Sequence, residues 1–405
     1  MSDFRKVPFS PPDISEAEIS AVSEVLRSGW ITTGPTCKKF ELELAEYIGV
    51  NRLACLNSAT AALEACMNIL GISSGDEVIV PAYTYTASAS IVYHAGATLR
   101  LVDCRKDSHE MDLERLEECI NSKTKAIITV DLAGMPCVYE PYFEIANKYK
   151  DIYSANNDLQ RKLSRIAIIA DAAHAFGAYC NSDKKYVGQI ADFTAFSFHA
   201  VKNLTTAEGG ALCWSDELKD MSDELYNKIM LFSLHGQNKD ALSKSQIGSW
   251  AYDIVFPGYK CNMTDIMAAI GREQLKRFPK LLRRRQEIQE KYDEAFKNLG
   301  LEVLKHSSND YYSTRHLYII RIDGYNEEQR NDFIVAMGEK GISCNVHYKP
   351  LPMLSAYKNK GFDIADYPEA FERYKNSVTL PLHTLLSDSD VEYVIQSVKE
   401  CLGKN

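Results

Sequence analysis

Arg165-Ile-Ala-Ile-Ile-Ala-Asp171-Ala-Ala-His174 is the stretch from which the fold is read. Its apolar residues run without alternation, are too few for a helix, and end in an acid. Such a run reads as a strand buried on both faces. Runs of the same kind lie upstream at 53–56, 77–80, 98–102 and 126–130. Helical patterns separate them. Residues 15–28 carry Glu16 and Glu18 in the first turn and Gly29 just past the end, 40–47 form a short amphipathic segment, and 60–70 are closed by Gly71. Short apolar strands alternating with helices predict βαβ units, hence an α/β fold on a mostly parallel sheet flanked by helices. Sheets of this kind take ligands in the crevice beyond the carboxyl ends of their strands. The polar residues just after each run are therefore where chemistry is to be sought, and Asp171 is the first of them.

Composition narrows the class. With 405 residues the chain is long enough for two or three domains. Apolar residues at 45% and charged residues at 25% are the profile of a soluble globular protein. Acidic residues outnumber basic ones, 55 to 46, which argues against the basic stripe of a nucleic-acid-binding surface. No apolar run approaches the roughly 18 residues of a membrane span. The 11 cysteines are irregularly spaced and form no C-x-x-C pair, so a zinc ribbon is excluded and no metal site is expected. The chain opens MSDFRKVPFSPPD, without a basic-then-apolar leader. Reduced cysteines in a cytoplasmic protein are the expectation.

The character changes near Asn262. Residues 263–278 and then 281–299 form long helical patterns, and the basic run Leu282-Arg-Arg-Arg285 reads as a solvated face. From Leu301 the pattern is strand, helix, strand, with 317–322 the clearest strand. The expected division is a large α/β domain over 1–262 and a small α+β domain over 263–405 that includes the long connecting helix. Residues 150–165 are polar and read as a surface excursion.

Four segments could carry chemistry. Asp171, at a strand end, could meet a metal, a ribose hydroxyl or a protonated heterocycle; it could also be a helix N-cap. Phe196-Ser-Phe-His-Ala-Val-Lys202-Asn-Leu-Thr-Thr-Ala-Glu-Gly-Gly210 sets a lysine beside an aromatic strand. Apolar surroundings lower a lysine's pKa and make its amine a nucleophile able to form a Schiff base, although a single lysine can also be structural. Asn57-Ser-Ala-Thr60 opens a helix after a strand, a place where free N–H groups bind phosphate or where Ser58 is simply a cap. Pro81-Ala-Tyr83-Thr-Tyr85-Thr86 offers an aromatic that could stack on a flat ring or merely pack. Taken together they supply phosphate donors, a ring stacker, an anion for a ring nitrogen and an amine for an aldehyde. Pyridoxal 5'-phosphate (PLP) presents all four counterparts.

The chain resembles the nucleotide-sugar aminotransferases of the DegT/DnrJ/StrS type, fold-type I PLP enzymes. The resemblance runs in order from Ser28-Gly-Trp-Ile-Thr-Thr-Gly-Pro35 to Leu380-Pro-Leu382. Between them come Asn57-Ser-Ala-Thr-Ala-Ala62, Gly75-Asp-Glu-Val-Ile-Val-Pro81, Asp171-Ala-Ala-His174, Ser197-Phe-His-Ala-Val-Lys-Asn203, Glu208-Gly-Gly210, Gly258-Tyr259 with Met263-Thr-Asp265, and Val346-His-Tyr348. It implies that Lys202 is the lysine that binds the cofactor and then shuttles the proton, and that Asp171 is the partner of the pyridine nitrogen. His174 falls where the family has glutamine or histidine near the ring hydroxyl. Tyr85 matches the stacking aromatic. Ala59 and Thr60 match the phosphate-binding helix start, helped by Ser197. His347 and Tyr348 match a loop near the sugar. Where many members have Asn in a Gly-Tyr-Asn motif that reaches a neighbouring subunit's phosphate site, this chain has Lys260, with Asn262 two positions on. Alternate residues of an extended segment face one way, so either Lys260 or Asn262 could supply the contact, and Asn262 is the favoured one.

The resemblance further implies a homodimer with shared sites. It implies transfer of an amino group from L-glutamate to a keto sugar on a nucleoside diphosphate, for surface polysaccharide, glycan or secondary-metabolite synthesis. Three rivals remain. A PLP- or PMP-dependent sugar dehydratase has histidine in place of the lysine, so Lys202 speaks against it. A non-sugar cyclic ketone is a possible acceptor. A PLP-binding regulator without turnover would have no need of the Lys202, Asp171 and Tyr85 set.

Overall fold

The computed structural model describes residues 5–180, 184–239 and 251–404. Seven strands build the main sheet: β1 (Leu53–Leu56), β2 (Glu77–Pro81), β3 (Thr98–Val102), β4 (Thr124–Val130), β5 (Ala167–Asp171), β7 (Phe193–Ser197) and β8 (Gly210–Trp214). Strand β6 (Tyr179–Cys180) lies outside it, in a two-stranded ribbon with β10 (Tyr311–Tyr312). The spatial order of the main sheet is β1-β8-β7-β5-β4-β2-β3, and β8 alone runs against its neighbours. The α/β expectation therefore holds. The reason the runs show no alternation is visible in β5: Ala167 and Ile169 face one hydrophobic core, Ile168 and Ala170 the other.

Helices α1 (Glu16–Ser28), α2 (Pro35–Ile48) and α3 (Ala59–Ile69) fall on the patterns at 15–28, 40–47 and 60–70, α2 starting earlier with Pro35 in its first turn, and α4 (Ala87–His94) lies between β2 and β3. Ser15 caps α1 with a capping box to Glu18, and Gly29 closes it at φ 77°. A second, three-stranded antiparallel sheet, β9 (Leu301–Val303), β11 (Tyr318–Ile322) and β12 (Ser377–Leu380), has its own core with the helices Glu327–Glu339 and Asp388–Cys401. Among the described residues no helix is long and apolar enough to cross a membrane.

Three local readings are corrected. The two helical patterns after Asn262 are a single helix, Asp265–Phe296, with Pro279 inside it. Proline removes one N–H and disfavours a helical residue before it, but Phe278, Leu281 and Leu282 on both sides are buried in one core, and packing outweighs the break. That helix is tied at its start to α1 and α2 through Arg277–Glu18 and Arg272–Glu43. Towards its end it is tied to the second unit through Arg284–Asp388. The basic run is not wholly solvated either. Arg285 is buried and donates to the carbonyls of Arg315, His316 and Leu382. Finally, the polar excursion holds a short helix, Asp158–Leu163, capped by Asn157. Gln160 and Asn157 both donate to the Leu70 carbonyl that ends α3.

Candidate active site

The carboxyl ends of β4 and β5, the start of α3, the loop after β2 and the loop after β7 converge on one cavity. Ala59, Thr84, Tyr85, Asp131, Asp171, His174, Lys202 and Tyr348 line it. Asp171 is the last residue of β5, so the strand direction alone delivers its carboxylate there. It accepts the Ser88 hydroxyl at 2.6 Å and the Ala173 N–H at 3.2 Å. Burial raises its pKa, while those donors and the charge of Lys202 oppose the rise.

Lys202 sits in the tight connection from β7 to β8. Phe198 anchors that connection through N–H and carbonyl bonds to Gly209 and Thr206, and the Lys202 N–H closes a turn onto His199. Burial pulls the amine down to about 8, against the opposing charge of Asp171. Among the described residues the two form no contact ion pair, with each other or with a third group; they act on one another across the cavity. Tyr85 is 59% exposed and borders the mouth, its ring 5.7 Å from that of Tyr348.

His174 is buried, with Nδ1 accepting the Ala133 N–H at 3.2 Å and Nε2 3.2 Å from the Tyr348 hydroxyl. His347 does not line the cavity; its Nδ1 lies 2.9 Å from the Thr379 hydroxyl and its ring stacks on Phe9. Its carbonyl accepts from Tyr83, which ties this loop to the loop after β2.

At the other end, Ser58 accepts the Ala61 N–H and caps α3. The capping reading of Ser58 is thus correct, and it coexists with an open helix start, because the first N–H groups of a helix lack intrahelical partners. Gly210 is pressed against this start: a Cβ there would lie 2.3 Å from the Ser58 carbonyl carbon and 2.4 Å from the Ala59 nitrogen. Ser197 is Gly210's partner in the β7–β8 ladder, so its hydroxyl belongs to the same corner. Thr60 is the second residue of α3. Asn262 pairs with Leu56, at the end of β1, in an isolated bridge. Its amide donates to the Thr33 hydroxyl at 2.5 Å and its oxygen accepts from Lys260.

Thus Ala59, Tyr85, Asp171, His174, Lys202 and Tyr348 share the cavity, whereas Thr60, Ser197, Asn262 and His347 lie around it. Sequence reasoning passed over Ser88, Asp131, His316 and Asn203. Asp131 follows β4 as Asp171 ends β5, so the strand-end rule could have found it. The donor set fits PLP: a buried carboxylate with no contact cation for a ring nitrogen, an amine of lowered pKa, and a helix start against a glycine for a phosphate.

The sequence profile of the DegT/DnrJ/EryC1/StrS aminotransferase family matches residues 12–399. The spore coat polysaccharide biosynthesis protein SpsC of Bacillus subtilis (strain 168) is 35% identical over 398 residues, 97% of this chain and 96% of its own. Among solved structures, Spr1654 of Streptococcus pneumoniae, assigned as a sugar aminotransferase and solved in its PMP-form, superposes with a TM-score of 0.95 at 51% identity, covering 98% of this chain and 99% of the other. Helicobacter pylori PseC, an aminotransferase involved in the biosynthesis of pseudoaminic acid, superposes with a TM-score of 0.85 at 29% identity, covering 98% and 100%.

Proposed function

The chain belongs to the DegT/DnrJ/EryC1/StrS aminotransferase family, and from that premise we propose that it moves an amino group from L-glutamate to a keto sugar carried on a nucleoside diphosphate. The observation that carries this reading is the pair Lys202 and Asp171, a lowered amine and a buried carboxylate, facing one cavity. PLP, named for the PLP-form of Spr1654, supplies when bound an aldehyde for amines and a ring that accepts electrons. Asp171 would hold a proton on the ring nitrogen. The N–H groups of Ala59 and Thr60, with the Ser197 hydroxyl, would hold the phosphate. Tyr85 would stack on the ring, and His174 would serve the ring hydroxyl. Lys202, with an amine near 8, gives and takes a proton close to neutral pH, so it serves as both acid and base. His347 and Tyr348 border the sugar.

A homodimer with shared sites is part of the same proposal. Tyr252, Ile254, Val255 and Tyr259 are exposed apolar residues leading into Lys260. Asn262 is only 8% exposed and binds Lys260. In this proposal either Lys260 or Asn262 supplies the group that reaches a second copy, and the Lys260–Asn262 hydrogen bond joins the two.

The protein supplied with PLP should turn yellow, and borohydride should fix the label on Lys202, as read by peptide mass. Lys202→Ala should abolish the fixation. A colourless wild type sinks the cofactor reading. Glutamate should bleach the band, and keto sugars on UDP, dTDP and GDP should then restore it selectively. Restoration only by a free cyclic ketone would replace the sugar acceptor.

A further inference from the structure

Three rings from distant parts of the chain meet beside Lys202, and their donors and acceptors can be assigned. The Ala133 N–H donates to His174 Nδ1. That nitrogen must be bare, so a neutral ring carries its proton on Nε2. Burial, and then the charges of Lys202 and His347, hold His174 well below the usual histidine range, so the ring is neutral. Its Nε2–H therefore donates to the Tyr348 hydroxyl at 3.2 Å, and the phenol oxygen is the acceptor. The O–H of Tyr348 is left to point elsewhere, and the residue lines the cavity with Lys202 and Asp171. Burial raises the phenol far above its ordinary range, so the proton stays on.

Resting on the PLP reading above, we propose that Tyr348 is the hydrogen-bond donor to an oxyanion held in this cavity, with His174 fixing the direction of its hydroxyl. The oxyanion is either the ring hydroxylate of PLP or a carboxylate of the amino donor. His316 and Asn203 are positioning residues. The His316 ring lies 4.4 Å from that of His174. Asn203 donates its amide to the Thr314 carbonyl at 2.8 Å, so its oxygen faces His316 Nδ1 at 3.0 Å and accepts a hydrogen bond from the Nδ1–H. Asn203 directly follows Lys202, which ties the tautomer lock to the lysine loop. The titratable groups facing this cluster are Lys202, Asp171, His347 and Arg285, with Tyr83 and Tyr85 beside Tyr348.

The test has two parts. Nitrogen-15 NMR of the PLP-free protein, with His174→Gln to assign the signal, should find the His174 proton on Nε2. A proton on Nδ1 would reverse the hydrogen bond and overturn the proposal. Tyr348→Phe keeps the ring and removes the donor. If it serves the ring hydroxylate, the pH midpoint of the visible band of the PLP-loaded protein rises by about one unit. If it serves a carboxylate, the midpoint stays and succinate, followed by calorimetry, binds about tenfold more weakly. If the midpoint and the succinate affinity both stay as in wild type, the proposal is overturned. Asn203→Ala should move the same readout in the same direction as Tyr348→Phe, and by less. A wild type that takes up no PLP defeats the cofactor reading, while the tautomer and the succinate titration still decide Tyr348.

Discussion

Asp131 follows β4 and Asp171 ends the neighbouring β5, and the backbone N–H of the first donates to the carbonyl of the second at 3.1 Å. Both carboxylates are buried, border one cavity and have raised pKa values because of that burial. Their partners differ. The Tyr139 hydroxyl lies 2.9 and 2.8 Å from the two oxygens of Asp131, and the Cys137 N–H bonds one of them at 2.8 Å. These donors come from the loop that Asp131 itself begins, so its capacity is spent on shaping that loop. Asp171 has the Ser88 hydroxyl and the Ala173 N–H, while a carboxylate offers about four acceptor sites. What remains faces Lys202. A strand-end position finds both acids; only an accounting of their partners says which one is open to a cation.

The largest expected effect breaks or keeps that contrast directly. Asp171→Asn should lower turnover about 10³-fold, the scale of removing one partner from a buried charge pair. Asp131→Asn can still accept from Cys137 and donate to Tyr139, and should stay within about tenfold of wild type. Steady-state rates at saturating PLP decide it. An equal collapse of both variants would put Asp131 in the machinery beside Asp171.

The same pair separates in stability against pH. The Asp131 carboxyl is raised to about 7 in the folded chain, against about 3.9 unfolded. Between those values the folded state binds the proton more tightly, so stability falls as pH rises through the window and levels off above it. Asp131→Asn removes this slope. Relative to wild type, the variant should gain roughly 2–4 kcal/mol on going from pH 4 to pH 8, read from urea midpoints. A constant difference across that range would mean that Asp131 is ionised throughout.

Gly210 tests the phosphate end. Its Cβ would strike backbone atoms of Ser58 and Ala59 rather than a flexible side chain, so Gly210→Ala must displace the start of α3. A loss of about 1–3 kcal/mol in stability is expected, with weaker PLP uptake in equilibrium dialysis. Normal uptake would separate the helix start from the phosphate.

Much of this was legible in the sequence because it is local. The runs at 53–56 and 98–102 are β1 and β3 to the residue, and Ser15 and Gly29 mark the ends of α1. Asp171, His174, Lys202 and Tyr85 follow strands, so topology sends them to one edge. What escaped depends on contacts that no window of sequence contains. Ser88 reaches Asp171 across 83 residues, and Asn203 reaches His316 across 113. Arg285 stands in a basic run, yet the carbonyls it binds belong to residues 315, 316 and 382. Pro279 reads as a break, and only the burial of Phe278 and Leu282 shows why the helix continues.

Ser88 offers the finest adjustment of the contrast. The Thr84 and Ser88 hydroxyls are 2.9 Å apart. Ser88 spends its proton on Asp171 at 2.6 Å, so Thr84 donates to Ser88 and the pair forms a short relay into the carboxylate. This bond lowers the Asp171 pKa against the burial that raises it. Ser88→Ala removes the bond and leaves a small void. Hydrogen bonds to charged groups contribute about 1.5–3 kcal/mol, so the Asp171 pKa should climb further. A cationic ring nitrogen needs Asp171 ionised. The acid limb of PLP affinity should therefore move to higher pH, with affinity at the alkaline plateau reduced about threefold to tenfold. Affinity measured from pH 5 to pH 9 reads both. An unmoved acid limb in Ser88→Ala would show that Asp171, like Asp131, is held by donors other than those facing the cavity.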